Sequence, residues 1–195
     1  MKTLGDAWAW YKAVATNAKR LTHLAEHWDQ LPWATAEYEW VKKLERDNVL
    51  GRVDSGEMRE DARRAAKELD ELAVLVLFSV FEAIVRDWVE EQVRPEIEQL
   101  RHPTLVKAGR EVLDAVAQGS FFRLLEPYKL TGNHDLVEQI NQIRKYRNWV
   151  AHGRNPQNAP ATSVTPLDAR DRLQQFLDLL QQSGALSSVP PPGAP

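Results

Sequence analysis

The stretch that decides the fold is residues 72–81, LAVLVLFSVF, the most apolar window of the chain. It lies inside residues 55–93, SGEMREDARRAAKELDELAVLVLFSVFEAIVRDWVEEQV, where neither proline nor glycine follows Gly56 until Pro95. The flanks of the window have helical spacing, so we predict one long helix from about Ser55 to Val93. A buried strand over residues 72–80 is the alternative, because valine and phenylalanine also suit strands. Since a membrane span needs about 20 apolar residues, the shorter window predicts a core segment.

Helical periodicity also dominates the residues before this helix. Apolar side chains recur at every third or fourth position between Asp6 and Gln30, and Pro32 stops the pattern. A second, shorter helical stretch is predicted from about Thr35 to Leu50, where Gly51 ends it. The tryptophans of this region are predicted to pack in a core or a dimer interface rather than to stack on bases, because acidic residues lie near them.

The chain after the long helix is predicted to be helical as well. The predicted elements are a helix from Pro103 to about Ala117, a short amphipathic piece before Pro127, a turn at 131–133 with Asn133 as N-cap, a helix that stops at Gly153, a loop from Asn155 to Ser163, and a last helix opened by Thr165 and Pro166. No alternating strand pattern and no internal repeat occurs in the sequence. The predicted fold class is therefore all-α, an up-and-down helical bundle.

Composition favours a single domain. The chain has 195 residues, of which 43% are hydrophobic and 27% charged, with a net charge of -3. We predict one all-helical domain over residues 1–183 and a disordered, proline-rich tail over 184–195. The lack of cysteine excludes disulfides, thiolate metal sites and a cysteine nucleophile. Because no signal peptide or spanning segment is recognisable, we expect a cytoplasmic protein.

A local basic cluster contrasts with the acidic whole. Residues 140–166 contain no acidic side chain, and one of the basic residues there, Arg147, lies in line with an apolar helical stripe. A guanidinium on an apolar face is costly unless it meets an anion or a partner, so this face is a predicted interface. The cluster consists of Arg144, Lys145, Arg147 and Arg154, and the stripe of Leu136, Ile140, Ile143 and Val150.

The spacing within this cluster suggests RNA chemistry in a dimer. Asn148 and His152 are four residues apart and share a helix face, whereas Arg147 and His152 lie roughly 140° apart around the helix. Two copies across a twofold axis would bring both pairs into one cleft. Cleavage of RNA through its own 2′-hydroxyl needs a base, an acid and positive charge on the phosphate, which arginine and imidazole supply without a metal.

Residues 147–152, RNWVAH, resemble the signature of the HEPN superfamily, in which an arginine followed by a polar residue precedes a histidine with four to six residues between. Residues 77–88, LFSVFEAIVRDW, resemble the long helix that such domains place before the motif helix. The likeness covers about residues 65–180 and leaves 1–64 as an N-terminal helical extension. It implies an α-helical bundle of HEPN type, a homodimer and a metal-independent endoribonuclease, with toxins and phage-defence effectors among its relatives.

The resemblance also implies catalytic roles. Arg147 is expected to neutralise the scissile phosphate, His152 to act as general acid and base, and Asn148 to orient the histidine or the phosphate. Glu82 resembles an acid that some HEPN domains place behind the arginine.

The remaining cations and the partners follow from the same likeness. Arg144, Lys145 and Arg154 are expected to bind the flanking RNA backbone. Arg154 also occupies the position of a tyrosine that is nucleotidylated in some members, so that regulation is not expected. RNA, a second copy of the chain and an antitoxin or defence-system protein are the expected partners. We expect no DNA, no membrane, no cofactor and no metal.

Simpler interpretations of these residues stay open. Arg147 suits a bundle arginine paired with Glu82 or Asp87, and His152 suits an ordinary histidine at a helix end, where the helix dipole favours its cationic form. Asn148 and Glu82 suit solvated polar residues. The alternative function is therefore a non-catalytic HEPN-like module that binds a nucleotide or a partner protein, and a third is a plain helical scaffold.

Overall fold

The computed structural model describes residues 1–30 and 54–187, together with positions 39, 42, 43 and 46. The helical stretch predicted at 35–50 lies outside the described residues except at those four positions, and the end of the predicted tail lies outside them too. The helices are α1 (Leu4–Glu26), α2 (Ser55–Glu98), α3 (Pro103–Gln118), α4 (Phe121–Tyr128), α5 (His134–Ala151) and α6 (Pro166–Ser187). The described part of the chain contains no strand, so the all-α class is confirmed and the strand alternative at 72–80 is wrong.

The chain divides into two compact units. The larger contains residues 1–8 and those from Ala73 onward, and the smaller contains Ala9–Leu72. Leu4 and Ala7 lie in the core of the larger unit, so the first turns of α1 belong with it rather than with the extension predicted over 1–64.

One face of α2 forms the centre of the larger unit. Its buried residues recur at three- and four-residue spacing, which is the pattern of a helix packed on one side. Phe81 is fully buried, and its ring contacts those of Phe78, Phe121 and Phe176 at centroid distances of 5.9, 5.7 and 5.8 Å. Such tilted and edge-to-face contacts add to the hydrophobic burial of the rings. The buried residues of this face are Ala73, Val74, Leu77, Phe78, Phe81 and Val85.

The smaller unit is held together by its own contacts. Trp28, Ala25, Ala62 and Leu69 are each buried, and the burial of Trp28 agrees with core packing of this tryptophan. The Tyr11 hydroxyl donates a hydrogen bond of 2.7 Å to Asp70 Oδ1. Desolvation, followed by this contact with the carboxylate, raises the pKa of Tyr11 to about 12.

Several helix boundaries differ from the sequence expectations, and three of them have a physical explanation. α2 continues through Pro95 and ends at Glu98. The helix tolerates this proline because, so close to the helix end, it removes only one backbone hydrogen bond. A π-helical turn over Lys129–Asn133 joins α4 to α5, and Asn133 makes no side-chain capping bond. The i→i+5 bonds of that turn satisfy the amides that a cap would otherwise serve. α6 extends to Ser187, past the predicted start of the tail at 184.

The helix starts and stops marked by strong local signals agree with expectation. α3 begins at Pro103, and α6 begins at Pro166 after Thr165. The Thr165 hydroxyl accepts a hydrogen bond from the Asp168 amide at 3.1 Å and donates one to the Asp168 carboxylate at 2.7 Å. The first bond caps the helix N-terminus, and the second holds the threonine hydroxyl in position for it. No helix within the described ranges is long and apolar enough to cross a membrane.

Candidate functional site

The end of α5 reverses the chain. Gly153 follows the cap residue His152 with φ +80°, and the next residue, Arg154, has φ +57°. The Gly153 amide donates to the Val150 carbonyl at 3.3 Å, and the Arg154 amide donates to the Trp149 carbonyl at 2.9 Å. These two bonds are those of a Schellman motif. A left-handed arginine is unusual, and this second left-handed residue helps to turn the chain sharply at this point.

The loop that follows is tied to α5 by a side chain. Trp149 Nε1 donates to the Asn155 carbonyl at 2.9 Å, and the Asn158 amide donates to the same carbonyl at 3.0 Å. The Asn155 side chain accepts a bond of 3.0 Å from the Gln157 amide and so caps a short 3₁₀ turn, Pro156–Asn158. The loop therefore has a defined conformation next to the last turns of the helix.

A groove of about 490 Å³ lies between α5 and this loop. Among the residues that the structure describes, no carboxylate lines it. A helix wall and a loop wall can be distinguished. The helix wall consists of Arg144, Lys145, Asn148, Trp149 and His152, and the loop wall of Asn155, Asn158, Ala159, Pro160 and Ala161.

The groove brings together four of the seven predicted site residues, those on the helix wall other than Trp149. Arg147 and Arg154 are not among the residues that line it, and neither is Glu82. The separation of Arg147 from His152 agrees with their five-residue spacing along the helix. Arg154 is exposed just beyond the helix end.

Two residues of the helix wall present ionisable groups without a partner. Within the described ranges, neither the Lys145 ammonium nor the His152 imidazole has a hydrogen-bond or ion-pair partner, and both residues are exposed. Arg144 is held in place, because its Nε donates to Asn141 Oδ1 at 3.0 Å and its guanidinium lies 5.6 Å from the Phe122 ring centroid. The groove thus combines one positioned cation with a free cation and a free imidazole.

Arg147 lies on the bundle side of the helix. Its Nη2 is 3.8 Å from Glu82 Oε2, and its guanidinium carbon is 5.7 Å from the Phe78 ring centroid. Its Nη1 donates to Asn148 Oδ1 at 3.0 Å, which connects it to a residue of the groove. Its Nε is buried without a hydrogen-bond partner, although 29% of the side chain is exposed.

Glu82 is shared between two arginines. Its Oε1 accepts bonds of 3.2 and 2.7 Å from Arg86 Nε and Nη2, which are much closer than the contact with Arg147. Arg86 also donates to the carbonyl oxygens of Val116 and Gly119 at the end of α3. Because the carboxylate is already neutralised by Arg86, much of the Arg147 charge is left uncompensated.

Trp149, Asn155 and Asn158 were not expected as site residues. The sequence predicts a loop at Asn155–Ser163. It does not predict which face of α5 the loop covers, because that depends on contacts that no local pattern specifies. The indole–carbonyl bond from Trp149 to Asn155 decides that placement.

No family model matches the chain, and no curated protein and no solved structure is detectably similar to it. The HEPN assignment thus stays a prediction from residues 77–88 and 147–152. In the described part of the chain, no group of three or more histidine, aspartate or glutamate side chains is placed to hold a metal ion.

Proposed function

We propose that the protein is a metal-independent endoribonuclease of HEPN type that acts as a homodimer through Arg147, Asn148 and His152. The observation that carries the proposal is the acid-free groove, where an unpaired histidine and two cations lie together at the end of the motif helix. Phosphate binding needs such uncompensated positive charge, and imidazole is the side chain suited to proton transfer near neutral pH.

The proposed reaction follows the chemistry of RNA itself. His152 of one protomer removes the proton of the 2′-hydroxyl, whose oxygen attacks the adjacent phosphorus, and the second His152 protonates the departing 5′-oxygen. Arg147 stabilises the negative charge that develops on the phosphate. Asn148 positions the reacting groups, and Arg144, Lys145 and Arg154 bind the flanking backbone. The products are a 2′,3′-cyclic phosphate and a 5′-hydroxyl.

The geometry of α5 supports the requirement for two copies. Arg147 contacts the bundle side while His152 lines the groove, and this separation favours a site that a second copy completes. Asn148 contacts Arg147 and also lines the groove, which places it between the two functions. A twofold axis near the end of α5 would complete the set.

The direct test is cleavage of RNA in the presence of a chelator. We expect Arg147→Ala and His152→Ala each to lower the cleavage rate by about 100-fold or more. His134→Ala, at the other end of α5, and Arg110→Ala, at an exposed position of α3, serve as matched controls and should stay close to the wild-type rate. Cleavage that survives both motif substitutions would exclude this mechanism. Growth arrest by the wild-type chain but not by His152→Ala would support a role as a toxin or defence effector.

A non-catalytic module that binds a nucleotide or a partner is the second candidate. The contact between Arg147 and Glu82 favours it, because this pairing gives the arginine a structural function within the bundle. The groove would then bind its ligand without Arg147. If the protein has this second function, we expect Lys145→Ala to weaken ligand binding and Arg147→Ala to leave it unchanged. The wild-type protein should then cleave no RNA.

A further inference from the structure

The two walls of the groove differ in chemistry. The helix wall presents Arg144, Lys145 and His152, whereas the loop wall presents mainly Ala159, Pro160 and Ala161 with two asparagines. A ligand that fits both walls has an anionic part and a flat, largely apolar part with polar edges. A nucleotide has this composition, since its phosphate is anionic and its base is flat.

Trp149 is an aromatic side chain of fixed orientation in this groove. Its indole N–H is bonded to the Asn155 carbonyl, and its ring lies 5.9 Å from that of Tyr146 between centroids. The ring is partly buried against the core and also lines the groove. A side chain held in one rotamer loses little conformational entropy when a base stacks on it.

Asn158 presents an unused amide opposite the cations. Its backbone N–H is bonded to the Asn155 carbonyl, which fixes the position of the residue in the 3₁₀ turn. Over the described residues, its side-chain amide makes no hydrogen bond to the protein, while it lines the groove. A primary amide offers a donor and an acceptor side by side, which is the arrangement that reads the edge of a nucleobase.

We propose that this groove binds one unpaired nucleobase next to the scissile phosphate, with Trp149 as the stacking surface and Asn158 as the specificity-determining residue. This inference rests on the proposed ribonuclease function and names its substrate class as single-stranded RNA. In a duplex the faces of the base are covered by stacking and its Watson–Crick edge by pairing, so neither wall would reach it.

The first experiment measures base preference. Four single-stranded oligoribonucleotides that differ only at the nucleotide next to the scissile bond are cleaved by wild-type protein and by Asn158→Ala. We expect the ratio between the best and the poorest base to fall from at least about tenfold to near one in the variant. The matched control is Gln157→Ala, because Gln157 belongs to the same turn but does not line the groove, and it should keep the wild-type ratio.

The second experiment does not depend on catalysis. The binding of the same oligonucleotides to His152→Ala protein is measured by calorimetry, alone and with Trp149→Ala or Asn158→Ala added. We expect loss of the stacking ring to weaken binding by roughly 5- to 100-fold. Trp149→Phe, which keeps an aromatic ring, should recover part of this loss.

The outcomes separate the inference from the proposed function. Binding that depends on Trp149 and Asn158 without any cleavage by the wild type would remove the ribonuclease function and keep the base site. Cleavage with an unchanged base ratio in Asn158→Ala would overturn the base site alone. The third measurement is the binding of nucleoside monophosphates. If they bind as tightly as the oligonucleotides, the ligand is a free nucleotide and not RNA.

Discussion

At the scale of single residues, the contacts with Glu82 distinguish the roles of two arginines, Arg86 and Arg147. Arg86 donates twice to its carboxylate and also to two backbone carbonyls of α3 and the residue after it, so it connects two helices. Arg147 lies 3.8 Å from the other oxygen and donates to one asparagine. Arg86 therefore has the contacts of a structural residue, whereas the positive charge of Arg147 is only partly compensated by Glu82.

This difference predicts that two equal truncations lower the free energy of unfolding by different amounts. Arg86→Ala should lower the free energy of unfolding by about 2–4 kcal/mol, because it leaves a half-buried carboxylate and two carbonyls without their donor. Arg147→Ala should lower the free energy of unfolding by no more than about 1 kcal/mol, mainly through lost packing on Phe78, because Glu82 keeps its closer partner Arg86. Urea unfolding followed by circular dichroism measures both values.

The same measurement decides between the interpretations of Arg147. A loss of stability in Arg147→Ala as large as that in Arg86→Ala would identify Arg147 as the bundle arginine of the structural alternative. The activity test would then report on folding rather than on catalysis, and the proposed role of Arg147 would be wrong.

At the scale of elements, the end of α5 determines where the site residues lie. The left-handed residues Gly153 and Arg154 turn the chain, and the loop then meets the helix at Trp149. The sequence predicts this helix end correctly because a glycine after a periodic segment is a local signal. It does not predict the second left-handed residue, because an arginine normally avoids that conformation.

Gly153→Ala tests this helix end. A Cβ at Gly153 would have no atom within 4 Å, so its only cost is the positive φ, and we expect a loss of about 1 kcal/mol in the free energy of unfolding. Gly5→Ala is the matched control in the first turn of α1, where a Cβ would be 3.5 Å from Thr3 Oγ1 at ordinary contact. That change should stabilise the protein by about 0.5–1 kcal/mol. Equal effects of the two substitutions in urea unfolding would contradict this account.

At the scale of the whole molecule, the distribution of charge differs from its sum. The net charge of -3 disfavours nucleic acid as a general partner, but residues 140–166 carry bases and no acid. The fold places part of this segment around one groove. A local anion site can therefore exist in an acidic protein.

A composite site in a dimer predicts complementation between inactive variants. A mixture of Arg147→Ala and His152→Ala protein should recover part of the wild-type RNA cleavage, because each mixed dimer regains one arginine for the phosphate and one histidine for one of the two proton transfers, whereas each single-variant dimer lacks one of these groups entirely. A mixture of His152→Ala with the double variant should recover none. An active species with the mass of one chain, 22.3 kDa, in light scattering would exclude the composite site.

The site shows the limit of prediction from sequence most clearly. The basic cluster, Asn148 and His152 are recognisable from composition and spacing, and four of the predicted residues do share a groove. The position of Arg147 against Phe78 and Glu82 depends on the packing of α5 on α2, although Glu82 was named as a candidate partner. Trp149 and Asn158 gain their place in the groove only because the loop folds back on the helix.

The sequence by itself determined the all-helical class, the starts of α3 and α6 and the stop of α5, because periodicity and caps act through hydrogen bonds between residues close in the chain. The end of α2 beyond Pro95, the π-helical turn before α5 and the groove were decided by the tertiary structure alone. The groove depends on the bond from the Trp149 side chain to the loop, and the end of α2 depends on contacts with another helix, such as the packing of Ile97 and Leu100 around Gly109 of α3. Such contacts exist only once the helices have packed against one another.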